Sequence, residues 1–216
     1  MIEVDAPARR KPGRAPMPET ARRHLLTEAA AEVFMRDGYA AASMDDVARA
    51  AGMSKRTLYQ YFPSKAALFE ATVAAALAPL HVASELEADP DLGRALRGML
   101  QAAAAHLFAL RQTGIFRLVI SEVNRSPELA EATHRVLFNK GAGSLQRRIA
   151  AEVARGNIRL QDEEAAARML FGMALGATHF KLLLGVRGEP DAAEVATLAR
   201  AAVDVFLHGA LRREAV

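Results

Sequence analysis

The side chains best suited to chemistry lie together on one short predicted helix, the stretch SKRTLYQY at residues 54–61. Leu58 and Phe62 are four residues apart and therefore share the buried face of this helix. The outward side chains are then Lys55, Arg56, Tyr59 and Gln60. Arginine and lysine can bond guanine edges or phosphates, and glutamine can bond adenine. The stretch contains no acid, which favours a nucleic-acid contact over an ordinary mixed-charge surface.

The residues before this helix have the spacing of a helix-turn-helix. Ala48 is small enough for two helices to cross closely, and Gly52 can adopt the positive φ that ends the first helix. Leu58 is the apolar anchor of the second helix, and Ser54 is placed to cap it. A small helical hairpin with a solvated basic face would have the same spacing, and this alternative stays open on the spacing alone.

A resemblance extends these observations. The stretch from Arg22 to Leu68 resembles the N-terminal DNA-binding domain of the tetracycline-repressor (TetR) family. The matching features are Phe34 and Gly38 at the end of helix 1, Ser43 at the start of helix 2, the Ala50-Gly52-Ser54 turn, Thr57-Leu58-Tyr59, and Tyr61-Phe62 with Lys65. The resemblance implies DNA contacts from Ser43, Ser54, Lys55, Arg56, Thr57, Tyr59, Gln60, Tyr61 and Lys65. Many members have glycine where this chain has Arg56, which adds a long cation here.

Two helix starts flank the recognition helix. Ser43 is predicted to cap helix 2, with Asp46 as the acid of a capping box. Ser64 is predicted to cap helix 4, which places Lys65 in its first turn. A cation is unfavourable at a helix N-terminus unless an anion lies nearby. We therefore expect Lys65 to contact a DNA phosphate.

Composition limits the class of protein. The chain has 216 residues, of which 51% are apolar, enough for a small and a larger domain with a core each. It has no cysteine, which excludes disulfides and thiolate metal sites. The uncharged runs are too short to span a bilayer, and no apolar signal segment begins the chain. We expect a cytoplasmic protein without membrane contact.

The excess positive charge lies in the N-terminal part. Residues 1–65 contain 11 Lys and Arg against 8 Asp and Glu, whereas residues 66–216 contain 17 of each. The net formal charge of +3 is thus confined to the segment with the predicted helix-turn-helix. This distribution suits a DNA partner, although so small a net charge also fits an ordinary basic surface.

Catalytic motifs are absent from the sequence. No Walker loop, dinucleotide glycine fingerprint or nucleophile elbow occurs. The six histidines do not have metal-ligand spacing: His24, His81, His106, His134, His179 and His208. We predict no catalytic residue, no metal site, no cofactor and no enzymatic activity.

The predicted fold is all-α with two domains. Residues 1–18 form a basic, proline-rich arm, 19–65 a three-helix DNA-binding domain, and 66–216 a larger helical ligand-binding and dimerisation domain. The arm either lies against DNA or is a solvated tail, and both interpretations stay open. Helix 4 is predicted to run from Lys65 towards Leu86 with a kink at Pro79, Gly114 to end a later helix, and Pro127 to begin another.

The last two predicted helices have more apolar surface than one domain needs. The candidate interface residues are Leu170, Met173, Ala177, Phe180 and Leu184 on the first helix, and Ala199, Ala202 and Phe206 on the second. Pairing with the same helices of a second subunit would give a four-helix bundle, which is also how the resembled family forms homodimers. Burial wholly within one chain is the alternative.

The middle helices contain large, pliable apolar side chains with a few polar ones between them. Such a mixture is typical of a small-ligand pocket, although methionine and phenylalanine at helical spacing usually form core. The resemblance to the TetR family favours the pocket. Its candidate residues are Met99, His106, Phe116, Asn124, Phe138, Met173 and His179.

These features predict a sequence-specific transcriptional regulator that binds a double-stranded DNA operator. The resemblance implies a repressor released by a small apolar or amphipathic molecule. Two alternatives remain: a helical ligand-binding or enzymatic protein with a vestigial DNA-binding module, and an architectural DNA-binding protein without an effector.

Overall fold

The computed structural model describes residues 17–76, 84–138 and 143–210, and the secondary structure within these ranges is helical. The prediction of an all-α fold is confirmed. The helices are α1 (Glu19–Asp37), α2 (Met44–Ala50), α3 (Lys55–Tyr61), α4 (Lys65–Ala76), α5 (Ser84–Ala88), α6 (Leu92–Leu107), α7 (Leu110–Glu122), α8 (Pro127–Phe138), α9 (Gly143–Ala154), α10 (Glu163–Phe171), α11 (Ala177–Leu183) and α12 (Ala192–Ala210), with a π-helical segment (Gly172–Gly176) between α10 and α11.

The first apolar core is formed by α1 to α4 together with parts of α7 and α8. At its centre the rings of Phe34, Tyr39 and Phe69 pack against one another, with centroids between 5.2 and 5.6 Å apart. Ile115 and Val119 of α7 belong to the same core. The helices with the predicted DNA-binding residues are therefore packed directly on the rest of the chain, and α4 contributes to this core beyond the predicted division at residues 65 and 66.

The helix ends follow the local sequence. Gly38 and Gly52 have φ values of 78° and 63°, which only glycine adopts without strain, and they end α1 and α2 as predicted. The side chain of Ser43 accepts from the backbone N–H of Asp46, whose carboxylate accepts from the N–H of Ser43. The predicted capping box is confirmed, and the hydrogen bonds from Ser43 lower the pKa of Asp46.

The second core lies between α6, α9, α10 and α12. Leu96 and Leu100 of α6 are fully buried against α12, where Ala199 and Val203 are fully buried. A small residue at position 199 lets these two helices pack closely. This core supports the C-terminal half of the chain.

One predicted boundary was wrong. Gly114 lies inside α7 rather than at the end of a helix, and the chain breaks earlier, at Phe108 and Ala109. A Cβ atom at position 114 would lie 2.8 Å from the sulfur of Met35 on α1. Glycine therefore leaves space for the Met35 side chain, which would have to shift if position 114 held a larger residue, and sequence alone cannot distinguish this packing role from a helix stop.

Other predicted boundaries are partly outside the described residues. α8 begins at Pro127, as predicted from the preference of proline for a first helical turn. α1 begins at Glu19 as expected. The predicted kink at Pro79 and most of the basic arm lie outside the described residues.

Lys65 has an internal role that the sequence did not predict. Its ammonium group donates to the carbonyl oxygens of Tyr39, Ala40 and Ala42 at 2.8, 3.2 and 3.1 Å, and it lies 4.5 Å from the centre of the Tyr39 ring. An ammonium group has three N–H donors, and all three are used here. Instead of the expected phosphate contact, Lys65 forms hydrogen bonds that connect α4 to the turn between α1 and α2.

Replacement of Lys65 by methionine should destabilise the protein by about 1–3 kcal/mol, because the apolar chain is kept while three carbonyl groups lose a charged donor. Urea denaturation measures this change. Lys55→Met is the matched control, and since its ammonium group is solvent-exposed it should change stability by less than about 0.5 kcal/mol. Equal stability of the two variants would contradict a stabilising role for the hydrogen bonds of Lys65.

Candidate nucleic-acid interface

The recognition helix α3 has one anchored face and one free face. Leu58 and Phe62 are fully buried in the first core, and the guanidinium of Arg23 lies 4.6 Å from the centre of the Phe62 ring. The side chain of Ser54 caps the helix by accepting from the N–H of Thr57 at 3.1 Å. These contacts fix both the position and the rotation of α3.

The free face of α3 has the composition predicted for it. The side chains of Lys55, Arg56, Tyr59 and Gln60 are exposed together. Thr57 and Tyr61 are half-buried, and Tyr61 packs against the first core. We define the four exposed residues as the reading face.

The charges around the reading face are partly paired by acids of α2. Lys55 lies 2.9 Å from a carboxylate oxygen of Asp45, and Arg49 lies 3.2 Å from Asp46. Within the described part of the chain, no ion pair involves Arg56. Arg56 is therefore the cation of the reading face that is free to meet a base edge or a phosphate.

Not every predicted DNA-binding residue faces outward for binding. Ser43 and Ser54 are exposed, but their hydroxyl groups are engaged in the caps of α2 and α3. Lys65 is engaged by backbone carbonyls, as described above. These three residues build the interface, whereas the reading face presents the groups that can recognise a partner.

The predicted pocket residues are only partly brought together. The ring of His179 on α11 packs edge-on against Phe116 of α7, with centroids 4.9 Å apart, and lies 6.3 Å from Phe108. We define Phe108, Phe116 and His179 as the aromatic cluster. Burial lowers the pKa of His179, so its imidazole is neutral at physiological pH.

Two of the other candidates do not fit a buried pocket. Asn124 is exposed in the turn after α7, and Met173 is exposed on the π-helical segment. Met99 is buried in the C-terminal half, and His106 is half-buried on α6. The side chain of Phe138 lies outside the described residues.

Two of the candidate pocket residues contain an unpaired buried nitrogen. The Nε2 atoms of His106 and His179 are both buried without a hydrogen-bond partner among the described residues. Leaving such a group unpaired costs about 1–3 kcal/mol. A ligand with a hydrogen-bonding group could supply the missing partner.

The predicted interface residues divide into two groups. Leu170, Ala199, Ala202 and Phe206 are buried within the chain itself, so the expectation that they face a second subunit is wrong for this part of the set. α12 buries one face against α6 and the π-helical segment, and α10 packs against α9 and α12, which accounts for these four. Met173, Ala177, Phe180 and Leu184 are exposed.

The part played by α7 was not predicted from the sequence. Arg111 near its start pairs with Glu28 of α1, and Arg117 in its middle donates to the carbonyl oxygens of Leu182 and Leu183 at the end of α11. Gly114 allows the close approach to α1. The arginine spacing in RQTGIFR was the available signal, but long-range partners cannot be inferred from it.

Glu122 at the end of α7 is buried beside Gly38. One of its carboxylate oxygens has no hydrogen-bond partner among the described residues, and the other lies 3.6 Å from the position of a Cβ at Gly38. Arg117, five residues earlier on the same helix, binds the end of α11 rather than Glu122. The carboxyl group thus lies where α7 meets the end of α1.

Within residues 17–76, 84–138 and 143–210, no group of three or more His, Cys, Asp or Glu side chains is placed to hold a metal ion. None of the helices described is both long and apolar enough to cross a membrane.

The fold and the reading face together define a helix-turn-helix DNA-binding protein. The family model for the tetR family of bacterial regulatory proteins matches residues 26–72, and that for the C-terminal domain of AefR-like transcriptional repressors matches residues 94–209. The second match covers more than half of the chain. The chain therefore belongs to the TetR family.

Individual relatives agree with this assignment. The transcriptional activator FasR of Mycolicibacterium smegmatis is 49% identical over 57 residues, which is 26% of each chain. A TetR-family regulator from Mesorhizobium loti has a similar structure, with a TM-score of 0.78 at 25% identity over 91% of this chain and 100% of its own. The flavonoid-responsive regulator FrrA shares the fold at a TM-score of 0.70 and 24% identity, over 90% of this chain and 100% of its own. Matches to the curated relatives span 23% to 50% of their lengths.

Replacement of Arg56 or Gln60 by alanine should weaken binding to a specific duplex by about 1–3 kcal/mol and relax the preference for one base pair, because each side chain can form a bidentate contact with a base. Operators selected from a random duplex pool by the wild type and by each variant measure both effects. The control is Arg159→Ala, an exposed arginine in the C-terminal half. Unchanged affinity and unchanged preference in both variants would show that the reading face is assigned wrongly.

Proposed function

We propose that this protein is a homodimeric transcriptional regulator that binds an operator through α3 and is released from it by a small molecule. The observation that carries the proposal is the reading face, which presents cation, amide and phenol groups on a short helix held rigidly by Leu58 and Phe62. These groups match the donors and acceptors of the major groove. Binding to a selected duplex, and weaker binding of that duplex by Arg56→Ala, test this function.

Exposed apolar side chains support the proposed dimer. On the outer side of α10, the π-helical segment, α11 and α12, five large side chains remain between 48% and 67% exposed: Met169, Met173, Phe180, Leu184 and Val205. A group of large apolar side chains left this exposed is typical of an interface. Gly172 and Gly176 lie on the same helix, and neither has an atom within 4 Å of its Cβ position, which leaves room for close approach by a partner helix.

The proposed dimer predicts that Phe180→Glu is monomeric but folded. The side chain is 62% exposed in the single chain, so a carboxylate there is solvated in the monomer, whereas its burial in a dimer would cost about 3 kcal/mol or more. Light scattering measures the mass, and circular dichroism the fold.

The matched control is Leu110→Glu, because Leu110 is 84% exposed on α7. This variant should remain dimeric. Phe206→Glu should instead unfold the chain, since Phe206 lies in the second core. A Phe180→Glu variant that keeps the mass of a dimer would contradict the proposed interface.

The effector is proposed to bind at the aromatic cluster. The three rings and the unpaired Nε2 atom of His179 combine apolar contact with a polar group, which is the usual composition of a small-molecule site. This composition suits an apolar or amphipathic molecule with at least one hydrogen-bonding group.

The proposed route from effector to DNA runs through α7. Phe116 contacts the proposed effector site, and its neighbours on the same helix contact α1 and α11. An effector can release DNA only by binding better to a form in which the two recognition helices are wrongly spaced. A displacement of α7 would move α1 against α11 and so change that spacing.

An effector should both raise the melting temperature and weaken operator binding. A coupling free energy of about 1–3 kcal/mol would lower operator affinity by about 5- to 150-fold. In His179→Leu, compounds with a hydrogen-bonding group should bind about threefold to tenfold more weakly, because one hydrogen bond is lost. His24→Leu is the control, since His24 is exposed on α1.

Thermal shift and fluorescence anisotropy with the selected operator measure the two effects. A compound that stabilises the protein without weakening operator binding would contradict coupling for that compound. Equal ligand binding by the wild type and His179→Leu would contradict the proposed place of the site.

The sign of regulation and the location follow from the proposal. The AefR-like description of the C-terminal domain favours a repressor, whereas FasR is an activator. We propose repression, which a reporter gene under the selected operator tests. Because the partner is DNA, we propose a cytoplasmic location and assign no enzymatic activity.

A further inference from the structure

Asp45 is an acidic residue beside the reading face. It stands in the first turn of α2, and its two carboxylate oxygens lie 2.9 and 3.2 Å from the ammonium group of Lys55 on α3. Both side chains are about half exposed, at 53% and 59%. The hydrogen bond to Asp45 raises the pKa of Lys55, so this lysine stays protonated.

An exposed carboxylate at this place is unfavourable for binding DNA in general. It repels phosphates, and it occupies a lysine that would otherwise neutralise one. The caps of α2 do not need it, because Ser43 and Asp46 form the capping box. The ion pair itself adds little to stability, since exposed pairs usually contribute less than about 1 kcal/mol.

We propose that Asp45 is a specificity-determining residue whose ion pair with Lys55 keeps this lysine from binding the phosphate backbone of non-cognate DNA. This inference rests on the proposed DNA-binding function. On arbitrary duplexes, Lys55 stays paired with Asp45, and Arg56 provides the free charge of the reading face. On the operator, base contacts from Arg56 and Gln60 bring the helix close enough for Lys55 to exchange Asp45 for a phosphate.

The physical basis is the balance between specific and non-specific binding. Non-specific affinity comes almost entirely from cation–phosphate contacts, each of which adds about 0.9 to the slope of log affinity against log salt. Removing one such contact from non-cognate complexes lowers their affinity without removing a base contact. A weak, exposed ion pair suits this task, because a correctly placed phosphate can displace it.

The test is Asp45→Asn, which keeps the size of the side chain and removes its charge. Affinity for a 30-base-pair duplex of random sequence, measured by fluorescence anisotropy, should rise by about fivefold at moderate salt. The salt slope on this duplex should steepen by about 0.9, the contribution of one additional phosphate contact. Affinity for the operator selected by the wild type should rise less, so that the ratio of specific to non-specific binding falls.

Two further variants isolate the role of Lys55. Glu164→Gln removes a charge from an exposed ion pair on α10 and should change neither affinity nor slope, since exposed charges are screened beyond about 10 Å. In a Lys55→Gln background, Asp45→Asn should no longer steepen the salt slope, because the released cation is absent. Thermal unfolding should show that each of these variants is folded.

Three results would overturn the proposal. The first is an unchanged salt slope on the random duplex in Asp45→Asn. The second is an equal steepening of the slope with and without Lys55. The third is a changed base preference when operators are selected again with Asp45→Asn, which would make Asp45 a base-reading residue. Failure of the wild type to select any operator would count against the proposed function, whereas the random-duplex measurements test Asp45 by themselves.

Discussion

The recognition helix depends on the burial of two side chains. α3 has seven residues, and an isolated helix of that length is not stable in water. Its conformation and rotation are fixed because Leu58 and Phe62 are buried in the first core. Lys65 then ties the following helix to the turn between α1 and α2 through three carbonyl groups. The exposed side chains of so short a helix can be placed precisely only when the residues packed beneath the helix hold it rigidly.

The same core connects the reading face to the rest of the chain. Ile115 and Val119 extend it into α7, and the Arg111–Glu28 pair and the contact between Gly114 and Met35 add to this connection. On its other side, α7 binds the end of α11 through Arg117. One helix thus contacts the proposed effector site, the DNA-binding helices and the helix beside the proposed dimer interface. This arrangement would let a local change near Phe116 alter the position of α1.

The features predictable from sequence were those with local causes. The Ala48-Gly52-Leu58 spacing, the positive φ values of Gly38 and Gly52, and the capping box depend on residues within a few positions of one another. The four-residue spacing of Leu58 and Phe62 was also sufficient to distinguish the buried face of α3 from its exposed face.

Features that depend on distant partners were predicted less well. The carbonyl partners of Lys65 lie more than 20 residues away in the sequence, so the sequence did not reveal them and a phosphate contact was predicted instead. Gly114 was predicted to end a helix because its neighbour in the fold, Met35, is likewise distant in the sequence. Leu170 and Ala199 were assigned to a dimer because a helical stripe does not show which of two faces the chain covers itself. The same ambiguity affects the predicted pocket residues: among those whose side chains the structure describes, only Phe116 and His179 are in ring contact with each other.

The central claim is that two copies of the reading face bind one duplex together. Hydroxyl-radical footprinting on a duplex selected from a random pool tests it most directly. The account predicts two protected patches related by an inverted repeat on one face of the duplex, with centres about one helical turn, or about 34 Å, or a multiple of that distance apart. A single protected patch, or protection without any sequence preference, would contradict it.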